Sequence, residues 1–196
     1  MREKHSRLHR FPAAITKWTE AERENSVSTE RRRGKSRGAF RLSEDSLSIY
    51  AGNRDGHSVA TLAERKTRYY IAIKIPDRKG ETMAKAIIDA LSKFPEGAVK
   101  TITCDRGSEF ACWREIEKAL SCDMYFADPY CAWQKGTNEN LNGLLREFYP
   151  KGRNLSRVSP ATLKKNLALI NARPKKVLHY QTPQDLFELN LSNCCT

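Results

Sequence analysis

The sequence predicts an α/β fold, a mixed five-strand sheet with helices on its faces. Three observations predict it. Between residues 42 and 75, three strand-like runs follow one another with short turns between them, the pattern of an antiparallel meander. After Pro76-Asp77-Arg78-Lys79-Gly80 the apolar period lengthens to that of a helix, and helix and strand then alternate. A strand that follows a crossover helix joins its sheet in parallel and with right-handed connection, so the later strands extend the meander as a parallel half.

The elements run in order as follows. Asp45, Leu47, Ile49 and Ala51 alternate with Ser46, Ser48 and Tyr50, predicting the first strand. Asn53-Arg54-Asp55-Gly56 is a turn, since Asn and Asp-Gly tolerate positive φ. Ser58 to Ala63 and Arg68 to Ile75 are the second and third strands, rich in β-branched and aromatic residues and joined by Arg65-Lys66-Thr67. Met83, Ile87, Leu91 and Phe94 lie on one helical face, which Pro95-Glu96-Gly97 ends. Val99 to Cys104 is a fourth strand, Ala111 to Leu120 a helix with Trp113, Ile116 and Leu120 as its buried stripe, and Asp123 to Phe126 a fifth strand. A third helix starts near Gly136 to Thr137. Thr162 to Asn171 is a fourth, with Leu163, Leu167 and Ile170 on one face, and Ala172 to Thr182 a basic loop. Pro183 opens a last short helix to Leu191, because proline fits the first turn.

Composition sets the partner. The chain has 196 residues and a net charge of +12, which favours a polyanion, nucleic acid before membrane. Residues 1–41 alone hold twelve Lys/Arg against five Asp/Glu and follow no sustained apolar period beyond a short helix-like run from Thr16 to Asn25. They read as a basic, disordered segment, with residues 42–191 as the folded core and 192–196 as a tail. No apolar run approaches the ~20 residues of a membrane span, and Met1 to Ile15 lacks the apolar centre of a secretory signal. The expected compartment is cytoplasmic. There the six cysteines stay reduced, and with no C-x-x-C pair they read as buried or incidental thiols rather than a zinc site.

The chemistry gathers between Cys104 and Arg146. Asp105 stands just past a strand end, on the rim where sites form in open α/β sheets, and Gly107 lets the chain turn back behind it. An aspartate there also suits an ordinary turn or helix cap. Thirty-three residues later comes Glu139, in the first turns of a helix on which Glu139, Asn142 and Arg146 share a polar face and Leu141, Leu144 and Leu145 an inward one. A plain surface helix has such stripes too. The density of amides and hydroxyls argues for contacts instead: Arg106, Gln134, Lys135, Asn138, Asn142 and Arg146 offer donors for phosphates and base edges. Two carboxylates in a basic chain suit Mg²⁺ (or Mn²⁺), which takes hard oxygen ligands and keeps several waters. The four histidines show no ligand spacing.

Four runs in this order resemble one family. They are Thr61-Leu62-Ala63-Glu64-Arg65-Lys66-Thr67-Arg68-Tyr69, Asp105-Arg106-Gly107-Ser108-Glu109, Tyr125-Phe126-Ala127-Asp128-Pro129, and Trp133-Gln134-Lys135-Gly136-Thr137-Asn138-Glu139-Asn140. With Asn171-Ala172-Arg173-Pro174 and the residues to Pro183, they resemble the catalytic core of DDE transposases, in particular the IS-thirty family of bacterial insertion sequences, from about Ala51 to Phe187. The resemblance implies a ribonuclease H-like integrase fold. It implies Mg²⁺-dependent DNA cleavage and strand transfer, with element ends and target DNA as partners and a homo-oligomer assembling on DNA. Asp105 and Glu139 carry over as the second and third catalytic, metal-binding acids. Two departures stand beside it. The family's N-terminal helix-turn-helix has no counterpart in the basic segment, and the Trp-Glu-Gly-Asp-Thr-like context of its first acid is absent. Asp45 is the substitute in the expected strand; Asp55 lies in the hairpin turn. The alternatives are a lost first acid and a truncated or frame-shifted copy that binds nucleic acid without catalysis. A structural or ribosome-associated basic protein would explain the charge but neither acid motif.

Overall fold

The computed structural model describes residues 40–42, 58–104, 106–127, 136–150 and 155–193, without the side chains of 40–42, 136 and 139. The strands are β1 (Phe40–Leu42), β2 (Ser58–Glu64), β3 (Tyr70–Ile75), β4 (Thr101–Cys104) and β5 (Asp123–Phe126). The helices are α1 (Gly80–Leu91), α2 (Trp113–Leu120), α3 (Gly136–Phe148), α4 (Pro160–Asn171) and α5 (Pro183–Ser192), with single 3₁₀ turns at Ser108–Phe110 and Lys176–Leu178.

Hydrogen bonding joins the strands in the order β3-β2-β1-β4-β5. β2 is antiparallel to both β1 and β3, with Leu42 opposite Leu62 and Ala63 opposite Tyr70. β4 is parallel to β1 and β5 parallel to β4, with Arg41 beside Thr103 and Cys104 beside Phe126. The crossover from β3 through α1 to β4 therefore produces the parallel half, as a helical connection must.

Both faces of the sheet are covered. Side chains alternate along a strand, so the residue parity of β2 sorts the two cores. Ala60 and Leu62 meet α1 and α2 through Met83, Ile87, Leu91, Trp113 and Ile116. Val59 and Ala63 meet α3 and α4 through Leu141, Leu145, Leu163 and Ile170. All seven residues of β2 are buried, as expected of a strand packed on both sides. α5 closes one edge: Phe187 stacks on Tyr69 at 4.2 Å between centroids and meets Phe94 edge-on at 5.2 Å. Ser159 and Thr182 cap α4 and α5 with their hydroxyls, each followed by proline in the first turn.

One expected element differs. The first strand is Phe40–Leu42, reaching into the segment read as a basic linker, whereas the alternation from Asp45 to Ala51 lies outside the described residues. Three residues are too few to carry a period. β1 is a strand because it pairs on both sides at once, with β2 and with β4.

Cys104 and Cys122 are buried in the core, and burial beside Glu117 and Asp123 pushes the Cys122 thiol up to about 12. No described helix is long and apolar enough to cross a membrane.

Candidate functional site

β1 and β4 run in the same direction, so the chain leaves both at one edge of the sheet. The residue that follows β4 is Asp105, and Asp45 comes three residues after β1. Both lie outside the described residues, as do Gln134 and Lys135; Glu139 is placed by its backbone in the first turns of α3.

The turn after Asp105 is built around a second acid. Glu109 is buried, and its Oε1 lies 3.5 Å from Nη2 of Arg78, the residue two before α1. Its carboxylate folds over Gly107 so closely that a Cβ there would stand 2.5 Å from Glu109 Cδ. Any side chain at 107 would therefore push the Glu109 carboxylate aside. Arg106 is half-buried beside it.

α3 lies on the face opposite α1 and α2. Thr101 and Thr103 alternate with Ile102 and Cys104 of the α1 core, so they face the α3 side, and all four are buried. Thr61 faces the same way. This side of the sheet therefore carries three buried threonine hydroxyls, Thr61, Thr101 and Thr103. Asn142 answers them: its Oδ1 accepts from Thr61 Oγ1 at 3.2 Å and from Tyr70 Oη at 2.5 Å.

Here the sequence reading of the helix is corrected. Asn142 does not share an outer polar stripe with Glu139 and Arg146. It is 1% exposed and Asn138 0%, and both lie on the face of Leu141 and Leu145. The i, i+3 and i, i+4 spacing that joins 138, 141, 142 and 145 is as regular as the one that joins 139, 142 and 146. Composition alone ranks an asparagine as polar and outward, but a hydroxyl-bearing strand beneath it makes the inward position favourable. The amide of Asn142 still presents a buried Nδ2 with no partner among the described residues, as does the half-buried Arg146 at Nε and the buried Tyr125 at Oη. Such donors are costly to leave unmet, and those of Asn142 and Arg146 stand on α3, the helix that carries residue 139.

Removing the amide has a measurable cost. Asn142→Ala strands Thr61 Oγ1 and Tyr70 Oη, and should cost about 2 kcal/mol in urea denaturation. Tyr70→Phe should cost about 1 kcal/mol, and the double variant less than the sum, because the two share one hydrogen bond.

Sequence reasoning missed the groups that clamp α3 and α4 on β3. Asn171, at the end of α4, accepts from Tyr70 N and donates to Tyr70 O, each at 2.9 Å. Glu64, buried, accepts from Lys66 N, Thr67 N and Thr67 Oγ1 and so closes the β2–β3 turn. The signal for Asn171 was its place on the apolar stripe of Leu163, Leu167 and Ile170. Among the described residues no group of three His, Cys, Asp or Glu side chains could hold a metal ion.

No protein-family model matches the chain. It is 40% identical over 143 residues, 72% of its own length, to a probable transposase for the insertion-like element IS1161 of Streptococcus salivarius. It is 35% identical over 140 residues to the transposase InsI of element IS30A of Escherichia coli K12, and 34% over 148 residues to the transposase of element IS4351 of Bacteroides fragilis. A putative integrase of Spiroplasma virus SpV1-R8A2 B is 29% identical over 146 residues. The chain spans 40%, 36%, 45% and 45% of the length of these curated relatives. Similarity this extensive, over the stretch that holds both acid motifs, supports an IS30-like, transposase relationship for the chain.

Proposed function

We propose that residues 40–193 form the catalytic core of a DDE transposase with ribonuclease H-like integrase architecture, cutting DNA and joining element ends to target DNA. The observation that carries this is the pairing of two acid motifs with the fold. One follows β4, whose neighbour β1 leaves the sheet at the same edge, and the other opens a helix anchored on β2. A strand order of β3-β2-β1-β4-β5 with helices on both faces supports it. So does the similarity to transposases.

In this reading Asp105 and Glu139, with Asp45 as the first acid, hold Mg²⁺ or Mn²⁺. Carboxylates give the hard oxygen ligands these ions take. The bound metal would supply positive charge to the attacking and leaving oxygens of the phosphodiester. Glu109, through its packing on Gly107, keeps the turn after Asp105 in one conformation. Lys135, Arg106, Gln134 and Arg146 hold DNA near the acids. Asn138 and Asn142 serve from within, fixing the pitch of α3 and so the height of Glu139 above the sheet. The protein acts in the cytoplasm on chromosomal DNA.

The absent context of the first acid favours a second reading, a remnant that binds DNA without catalysis. Purified protein given a pre-nicked element end and either metal separates the two. Joined strand-transfer product is expected; salt-sensitive DNA binding with no product would replace the first reading by the second.

A further inference from the structure

Arg68 and Lys175 both line a cleft of 320 Å³, together with Thr137, Asn140, Leu141 and Val177. Among the described residues its lining holds two cations and no carboxylate. Thr137 and Asn140 bracket Glu139 in sequence, so the cleft opens beside the first turns of α3. Arg68 is fixed there: its φ is +64°, and its guanidinium donates to Thr137 Oγ1.

Lys175 lies in a loop that hydrogen-bonds to itself. Lys175 O accepts from Leu178 N at 2.9 Å and from Tyr180 N at 3.0 Å, and Lys175 N donates to Gln181 O at 3.1 Å. Leu178 is buried and pins the loop. His179 and Tyr180 are both left-handed, at φ +52° and +65°, a conformation that costs a non-glycine residue about a kcal/mol or more. What that strain holds up is an exposed surface: Val177 is 64% and Tyr180 70% exposed, next to Lys176. Burial, together with Arg68 and Arg173, lowers the pKa of Lys175, a crowding of like charge that an anion would relieve.

We propose that this cleft is a track for one strand of DNA, with phosphates between Arg68 and Lys175 and an unstacked base on the Tyr180 ring. Tyr180 is outside the cleft lining but its N–H donates to Lys175 O, so an exposed aromatic neighbours the two cations along the chain, and cations with an aromatic are what bind single strands without reading sequence. The inference rests on the transposase reading for the choice of DNA.

The test is anisotropy of a fluorescent oligonucleotide, single-stranded and duplex, over a salt series. Lys175→Gln and the exposed Lys176→Gln should each flatten the single-strand salt slope by roughly 0.7. Tyr180→Asn, which tolerates the left-handed backbone, should weaken single-strand binding about tenfold and duplex binding less. Wild-type binding with all three folded variants unchanged would overturn the track and leave the transposase reading standing. A folded wild-type protein with no affinity for either DNA at low salt would overturn both.

Discussion

Asp105→Asn should abolish strand transfer and leave DNA binding in place. The substitution keeps the size of the side chain and removes the charge that a divalent ion needs. If the carboxylate contributes about 4 kcal/mol to holding a productive metal, the rate falls about a thousandfold. Glu139→Gln should do the same. The double variant should be little worse than either, since ligands of one centre act as a unit. Asp45→Asn decides the remaining position. A loss of the same size makes it the third ligand, and an unchanged rate removes it. Transfer product by gel and affinity by anisotropy read the two effects separately. An Asp105→Asn protein that joins strands at the wild-type rate would end the assignment.

The second large effect is on stability. Asn171→Ala should lower unfolding free energy by about 3 kcal/mol, because it removes two hydrogen bonds to the N–H and C=O of the buried Tyr70. For a chain of this size that is a fall of about 6–12 °C in melting temperature. β3 is the edge strand of the sheet, and the Asn171 amide covers part of that edge as a neighbouring strand would. Asn171→Asp should fall at least as far, since it turns the donor toward Tyr70 O into a second acceptor. A melting temperature within about 2 °C of wild type in both variants would show that the clamp contributes little.

Tyr70 shows how the parts join. Its backbone is held by α4 through Asn171, and its hydroxyl by α3 through Asn142. α3 carries the backbone of Glu139, and contacts from β2 and β3 hold that helix on the sheet.

Much of the fold was legible because its signals are local. The stripe of Met83, Ile87 and Leu91, the Tyr- and Ile-rich run of β3, and the proline that opens α5 each depend on residues a few positions apart. The order of helix and strand then implied the parallel half of the sheet. The sequence names Asp105 and Glu139 as candidate acids from short motifs at a strand end and a helix start, and their metal-binding role is a proposal.

What tertiary structure decided is everything that depends on a partner far along the chain. Phe40–Leu42 is a strand only because β2 and β4 flank it. Asn138 and Asn142 read as outward donors until the hydroxyl-bearing face of the sheet turned them inward. Arg68 and Lys175, more than a hundred residues apart, came to line one cleft. Periodicity is a property of neighbours and survives in the sequence. A polar group's direction is set by the partner that offsets its desolvation, and that partner is chosen only when the chain is folded.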